Sequence, residues 1–253
     1  MVSIALQCFD SRVGNAHRVR ELAYKTDLMP KGYIMYVEQG GQEMLLADIG
    51  NTHFHIYDGQ KVVHLSYHDA IDTYRNRPLQ YISVNRHIEK QIGCIEGWEN
   101  VSSQMLLPGE YETMGVDRKA LCLSHDNGIF VDAGSAITVD VMERGIYKGG
   151  YIVPGIRAMR ESYARISPEL KIELDETIDL TQLPLTTKEQ ISYGIIASIK
   201  TLIEKHQQKR SLYITGGDGR LLAGFFKDAI YDEALVFKGM EHALASEKLE
   251  IRN

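Results

Sequence analysis

The sequence predicts an α/β fold built as two similar lobes, each a mixed sheet with helices on its faces. Three observations predict it. Residues 45–50, 53–57 and 61–66 read as three strands joined by tight turns, and alternating helix and strand follow them. The same plan then returns. Residues 128–131 lead into Asp132-Ala133-Gly134-Ser135-Ala136, and strands follow at 137–142 and 146–153. Finally, Asp48 and Asp132 lie 132 − 48 = 84 positions apart, each closing an apolar strand with Asp-x-Gly and then a hydroxyl. A repeat of this length implies two like units facing each other.

Residues 1–43 stand apart. A short strand at 2–8, a helical turn or two at 17–24 and a strand at 33–38 are readable, without sustained periodicity. The expectation is an appendage of uncertain order over 1–43, a folded unit that begins at Met44, a first lobe at 44–118 and a second at 119–253. Beyond the first three strands, 68–74 reads as a short helix and 81–84 as a brief buried strand. Asn85 caps a helix with Ile88, Ile92 and Ile95 on one face. A loop at 107–116 runs into a helix at 117–124, with Asp117 at its N-cap or first turn.

In the second half, 143–145 is a turn and 156–164 a helix with Met159 and Tyr163 on one face. Residues 172–178 read as extended. Thr186-Thr187 precede a long helix at 188–207, whose buried stripe is Ile191, Ile195, Ile199, Leu202 and Ile203. A strand at 212–214 runs into Thr215-Gly216-Gly217-Asp218-Gly219. Helix 220–226, strand 235–237 and helix 239–247, with Gly239 at its start, complete the chain.

Composition narrows the function classes. The chain has 253 residues, 44% hydrophobic and 25% charged, enough for a sizeable core. A net charge of −6 disfavours a broad nucleic-acid footprint. No apolar run approaches a membrane span, and the order of a secretory leader is missing. Cys8, Cys94 and Cys122 form neither a metal-ligand pattern nor a disulfide framework, so a reducing cytoplasmic setting is expected. Cys122 reads as a small core residue.

The chemistry concentrates at the two Asp-x-Gly turns. Gly50 lets backbone approach an anion, Asn51 and Thr52 add side-chain donors, and Asp48 suits a hydrated magnesium ion. The same cluster also fits an ordinary hairpin turn. Two acids facing one cleft repel each other unless cations sit between them. The Gly216-Gly217 turn lets backbone approach a flat or anionic ligand. His53 and His55 share one strand face without a third histidine expected beside them.

Five motifs in order carry a resemblance: Asp48-Ile49-Gly50-Asn51-Thr52, Gly115-Val116-Asp117-Arg118, Asp132-Ala133-Gly134-Ser135-Ala136, Gly149-Gly150-Tyr151-Ile152-Val153-Pro154-Gly155 and Thr215-Gly216-Gly217-Asp218. Together they resemble type III pantothenate kinase, a family of the actin-like, acetate and sugar kinase superfamily, over about residues 44–245. The resemblance implies two ribonuclease-H-like lobes of mixed five-stranded sheets flanked by helices, an actin-like ATPase fold. It implies ATP with magnesium, a monovalent cation (potassium or ammonium), pantothenate as acceptor and a homodimer without nucleic acid or membrane.

Residue by residue, it implies ATP and magnesium contacts at Asp48, Ile49, Gly50, Asn51, Thr52, His53, Phe54 and His55. Ser135 would contact ATP, and Gly216 and Gly217 would lie against the adenosine. Asp117 would be the general base, Asp132 would hold the monovalent cation, and Tyr111, Gly115, Val116, Arg118 and Thr187 would meet pantothenate. Ser135 stands where many members have threonine, which keeps a hydroxyl. His55 stands where many have lysine, which replaces a fixed charge with a largely neutral imidazole.

Two other classes share these features. A kinase of the same superfamily could act on a sugar or short acid. A non-catalytic nucleotide-binding regulator could use the same fold. The Gly-Val-Asp-Arg junction favours pantothenate over the former, and the retained Asp117 disfavours the latter.

Overall fold

Two five-stranded sheets have their strands in the same order. The computed structural model describes residues 44–250, with side chains as far as residue 246; the elements expected at 2–8, 17–24 and 33–38 lie outside the described residues. The first sheet holds β1 (Leu45–Ile49), β2 (Phe54–Tyr57), β3 (Val62–Leu65), β4 (Leu79–Ser83) and β5 (Trp98–Asn100), ordered β3-β2-β1-β4-β5. The second holds β6 (Gly128–Ala133), β7 (Ala136–Glu143), β8 (Ile146–Pro154), β9 (Leu212–Thr215) and β10 (Ala229–Tyr231), ordered β10-β9-β6-β7-β8. Each strand of the first has its counterpart in the second. β1 and β6 are the central strands, each antiparallel to the next strand and parallel to β4 or β9. The repeat read from the two aspartates is therefore a repeat of whole sheets.

Among the described residues seven α-helices join the sheets: α1 (Tyr67–Tyr74), α2 (Arg86–Ile92), α3 (Val116–Leu123), α4 (Ile156–Ile166), α5 (Thr187–Gln207), α6 (Gly219–Ala223) and α7 (Leu235–Glu250). Side chains start three of them. Ser66 accepts from the Asp69 N–H, Asn85 from His87 and Ile88, and Thr186 from Glu189. These caps satisfy N–H groups that have no partner inside the helix.

Three apolar clusters hold the fold. One lies within the first lobe around Ile49, Phe54 and Leu79, and another within the second around Ile129, Ile195 and Ile214. The third joins the lobes through α3 and α7, combining Leu46 and Ile82 of the first sheet with Phe130 and Met142 of the second. Gly239 lies against the Ala120 carbonyl with no room for a Cβ, which lets α3 and α7 cross closely. The expected lobe boundary at 118/119 falls inside α3.

Several expectations are corrected. Residues 235–237 are not a strand but the first turn of α7, where Leu235, Val236 and Phe237 are all buried. A short apolar run cannot be told from a fully buried helix turn by periodicity. Gly239 accordingly lies inside α7. Strands β5 and β10 were not expected, since three residues carry no readable alternation. Residues 172–178 join no sheet, although Ile172, Leu174 and Ile178 pack on the second core. In α5, Leu202 is 39% exposed and Ile196 is fully buried, so Ile196 takes the place given to Leu202 in the stripe. Ile95 lies beyond the end of α2, and α6 ends at Ala223 rather than 226.

Candidate active site

The β1–β2 turn, the β6–β7 turn, the start of α3 and the turn after β9 line one cleft of about 590 Å³. Asp48, Gly50, Asn51, Thr52, His53 and His55 reach it from the first lobe, Asp132, Ser135, Gly216 and Gly217 from the second, and Asp117 from α3. Hydrogen bonds fix both turns. Gly50 N–H donates to the His53 carbonyl at 3.2 Å and is taken up within the turn, and the Thr52 hydroxyl lies 3.0 Å from His53 Nδ1. The Tyr67 hydroxyl donates to the Gly50 carbonyl at 2.7 Å and is itself held by Asn85 at 3.1 Å. In the second lobe, Gly155 N–H donates to Ser135 O and Asp218 N–H to Ala133 O. Gly216 has φ +90°, and a Cβ there would run into Asp132 and Ala133.

Three carboxyls share this space. Burial pushes Asp48 well above the usual carboxylate range, and the nearby charges of Asp117 and Asp132 add to it. Asp132 is pushed up to about 7, by burial first and then by Asp117 and Asp140. Asp117 is raised by burial and partly restrained by the Arg118 N–H, which donates to its Oδ1 at 2.8 Å. One Asp48 oxygen is buried without any hydrogen-bond partner. Among the described residues no group of three or more acids, cysteines or histidines is placed to hold a metal ion by itself, so the orphaned, hard Asp48 oxygen suits a magnesium or alkali cation whose shell phosphate oxygens complete.

Arg118 is held behind Asp117. It donates to Asp140 through Nε at 3.0 Å and Nη2 at 2.5 Å, to the Tyr111 hydroxyl at 2.6 Å and to the Tyr147 hydroxyl at 3.4 Å. Gly115 precedes this junction, and a Cβ on it would lie 2.5 Å from Asp117 Oδ1. Tyr111, Gly115, Val116 and Arg118 thus gather beside Asp117 but do not line the cleft itself. Ile49 and Phe54 have fully buried side chains in the first core, so only their backbone is available to a ligand. Thr187 is the exposed first residue of α5 and does not line the cleft.

The histidine expectation is corrected by β3. His64 pairs in register with His55, and their Nδ1 atoms lie 2.6 Å apart. Burial, with His64 and His53 beside it, lowers the His55 imidazole to about 4. Asp140 and Thr138 were also missed. The alternation Ile137-Thr138-Val139-Asp140-Val141 carried the signal: two polar residues on one face of an otherwise apolar strand.

Two sheets of the same strand order and an acid-lined cleft define the class, the actin-like ATPase fold. The fold is shared with a solved structure described as a 2-dehydro-3-deoxygalactonokinase protein from Sinorhizobium meliloti, 10% identical with a TM-score of 0.51 over 80% of this chain and 98% of that one. The family model for type III pantothenate kinase matches residues 83–209. Type III pantothenate kinases of Helicobacter hepaticus and Wolinella succinogenes are 43% and 40% identical, over 79% and 81% of this chain and 98% of each relative. A Campylobacter jejuni structure described as a Baf family transcriptional activator is 35% identical with a TM-score of 0.73, over 81% of this chain and 98% of that one. The chain belongs to the type III pantothenate kinase family.

Proposed function

We propose that the protein transfers the γ-phosphoryl group of ATP to the primary hydroxyl of pantothenate, giving 4′-phosphopantothenate and ADP, the first step towards coenzyme A. The observation that carries this reading is the position of Asp117. It lies in the cleft between the two Asp-x-Gly turns, in a chain 43% identical to a type III pantothenate kinase over 98% of that relative. In the transfer, the bond from the γ-phosphorus to the bridging oxygen breaks and a bond from the acceptor oxygen forms. The hydroxyl proton goes to Asp117. A carboxylate within reach of the alcohol is the usual acceptor, and most of the remaining catalysis is positioning and charge stabilisation.

Asn51, Thr52 and Ser135 would hold phosphates from the two turns, with Gly216 and Gly217 against the adenosine. Asp48 would hold magnesium and Asp132 a monovalent cation. Those cations supply neutralisation of the phosphate charge and of the three crowded carboxylates. Arg118, Tyr111, Gly115 and Val116 would bound the pantothenate pocket beside Asp117. Thr187, exposed at the start of α5, fits a pocket completed by a second copy in a homodimer. A cytoplasmic enzyme fits this role, and no helix among the described residues is long and apolar enough to cross a membrane. Residues 44–253 would form the catalytic unit, so a chain lacking 1–43 should keep its activity.

The test is incubation with ATP, magnesium, potassium and pantothenate, with phosphopantothenate read by mass, repeated with sugars and acetate. Product with pantothenate alone supports the reading. No product with any acceptor would favour a nucleotide-binding regulator instead.

A further inference from the structure

Among the described residues, four buried side-chain oxygens have no hydrogen-bond partner, and two of them line the cleft: Asp48 Oδ1 and Thr138 Oγ1. A buried hydroxyl without a partner is destabilising. It persists where something outside the chain completes it. Thr138 is 9% exposed, on β7. Its register partner on β6 is Asp132, whose partner on β9 is Thr215. The row Thr215–Asp132–Thr138 therefore crosses the cleft face of the second sheet, since paired residues share a face. Although Thr138 is the cross-strand neighbour of Asp132, its hydroxyl is not bonded to that carboxyl.

The wall around it is rich in acceptors. Asp48, Asp117, Asp132, Asp218 and Glu233 line the cleft, against one guanidinium, Arg157. Arg157 is 88% exposed and pairs with Glu161. An anionic phosphoryl group entering there needs donors, and a hydroxyl can supply one where no ammonium or guanidinium is placed at the acids.

We propose that Thr138 is a further catalytic residue whose hydroxyl donates a hydrogen bond to the phosphoryl group in transfer, in the cleft that Asp48 also lines and next to Asp132. This rests on the kinase reading above. The contact strengthens as charge builds on the equatorial oxygens, so its removal acts on turnover more than on ground-state affinity.

The experiment compares wild type with Thr138→Val and Thr138→Ser, reading steady-state kinetics and melting temperature together. Thr138→Val keeps the shape and deletes the hydroxyl. It should lower kcat on the order of 100-fold with the KM for ATP and pantothenate little changed. Its melting temperature should be equal or higher, because an unpaired buried hydroxyl is replaced by a methyl. Thr138→Ser should recover most of the turnover. Full turnover in Thr138→Val overturns the proposal, and so does a drop in melting temperature with activity lost alike in both variants, which is the mark of a packing role. Wild-type protein that phosphorylates no acceptor overturns the kinase reading itself, a separate result.

Discussion

Arg118 and Asp140 form a two-point ion pair between α3 and β7, with 7% and 0% of their side chains exposed. The pair ties the helix that carries Asp117 to the sheet that carries Asp132. It also accounts for Gly150 in β8, whereas Gly149 is set by its φ of +126°. A Cβ on Gly150 would collide with Val139 O and Asp140 Oδ1 and come within 3.0 Å of Arg118 Nη2. Replacing Asp140 by Ala leaves a buried guanidinium without its counter-ion, which should cost about 3–5 kcal/mol of stability in denaturant titration. Gly150→Ala should displace the same pair, lowering the melting temperature and raising the KM for pantothenate. Unchanged stability in Asp140→Ala would show that the pair does not hold the lobes' registry.

Asp117→Asn should fold as the wild type does, since it removes a charge and keeps the shape. Turnover should fall about 10²–10⁴-fold, the range for loss of a general base. Burial raises the Asp117 carboxyl, so in the wild type the acid limb of kcat should lie above the ordinary aspartate range and rise with pH as the base ionises. A variant with near-normal turnover would remove Asp117 from the mechanism.

The crowded carboxyls should be visible in stability against pH. Asp132 ionises near pH 4 in an unfolded chain but near 7 in the folded one, so the folded state binds more protons between those values. Stability from this group is therefore present at low pH and lost as pH rises from about 4 to about 7. The melting temperature of Asp132→Asn minus that of wild type should grow across this window, and magnesium with potassium should shrink the difference. A flat difference would contradict the coupling.

His55 should stay neutral through most of the accessible range. Its imidazole is lowered to about 4, so the neutral form is favoured, and its contribution to stability is lost as pH falls from about 6.5 towards 4. Histidine-selective NMR should show His55 titrating well below a free imidazole. A midpoint near that of a free imidazole would mean that the His55–His64 contact at 2.6 Å does not persist in solution.

Much of this was legible in the sequence because it is local. Asp48-Ile49-Gly50 and Asp132-Ala133-Gly134 announce themselves through strand, acid and glycine in succession, and the equal plan around them gave the two lobes. What stayed hidden depends on pairing across strands. His64 becomes a neighbour of His55 only through the β2–β3 register, and Asp140 meets Arg118 only through the packing of α3 on β7. Leu235 to Phe237 misled because burial on all sides removes the periodicity that separates helix from strand. Thr187 resembles a family position by motif, but its exposure shows that one chain alone does not bring it to the cleft.

If the cleft built by the two acid–glycine turns, with Asp117 in it, phosphorylates pantothenate, incubation with ATP, magnesium, potassium and pantothenate should give phosphopantothenate by mass. Wild-type protein should give product and Asp117→Asn almost none. Equal product from both proteins, or none from the wild type, would contradict this role of the cleft.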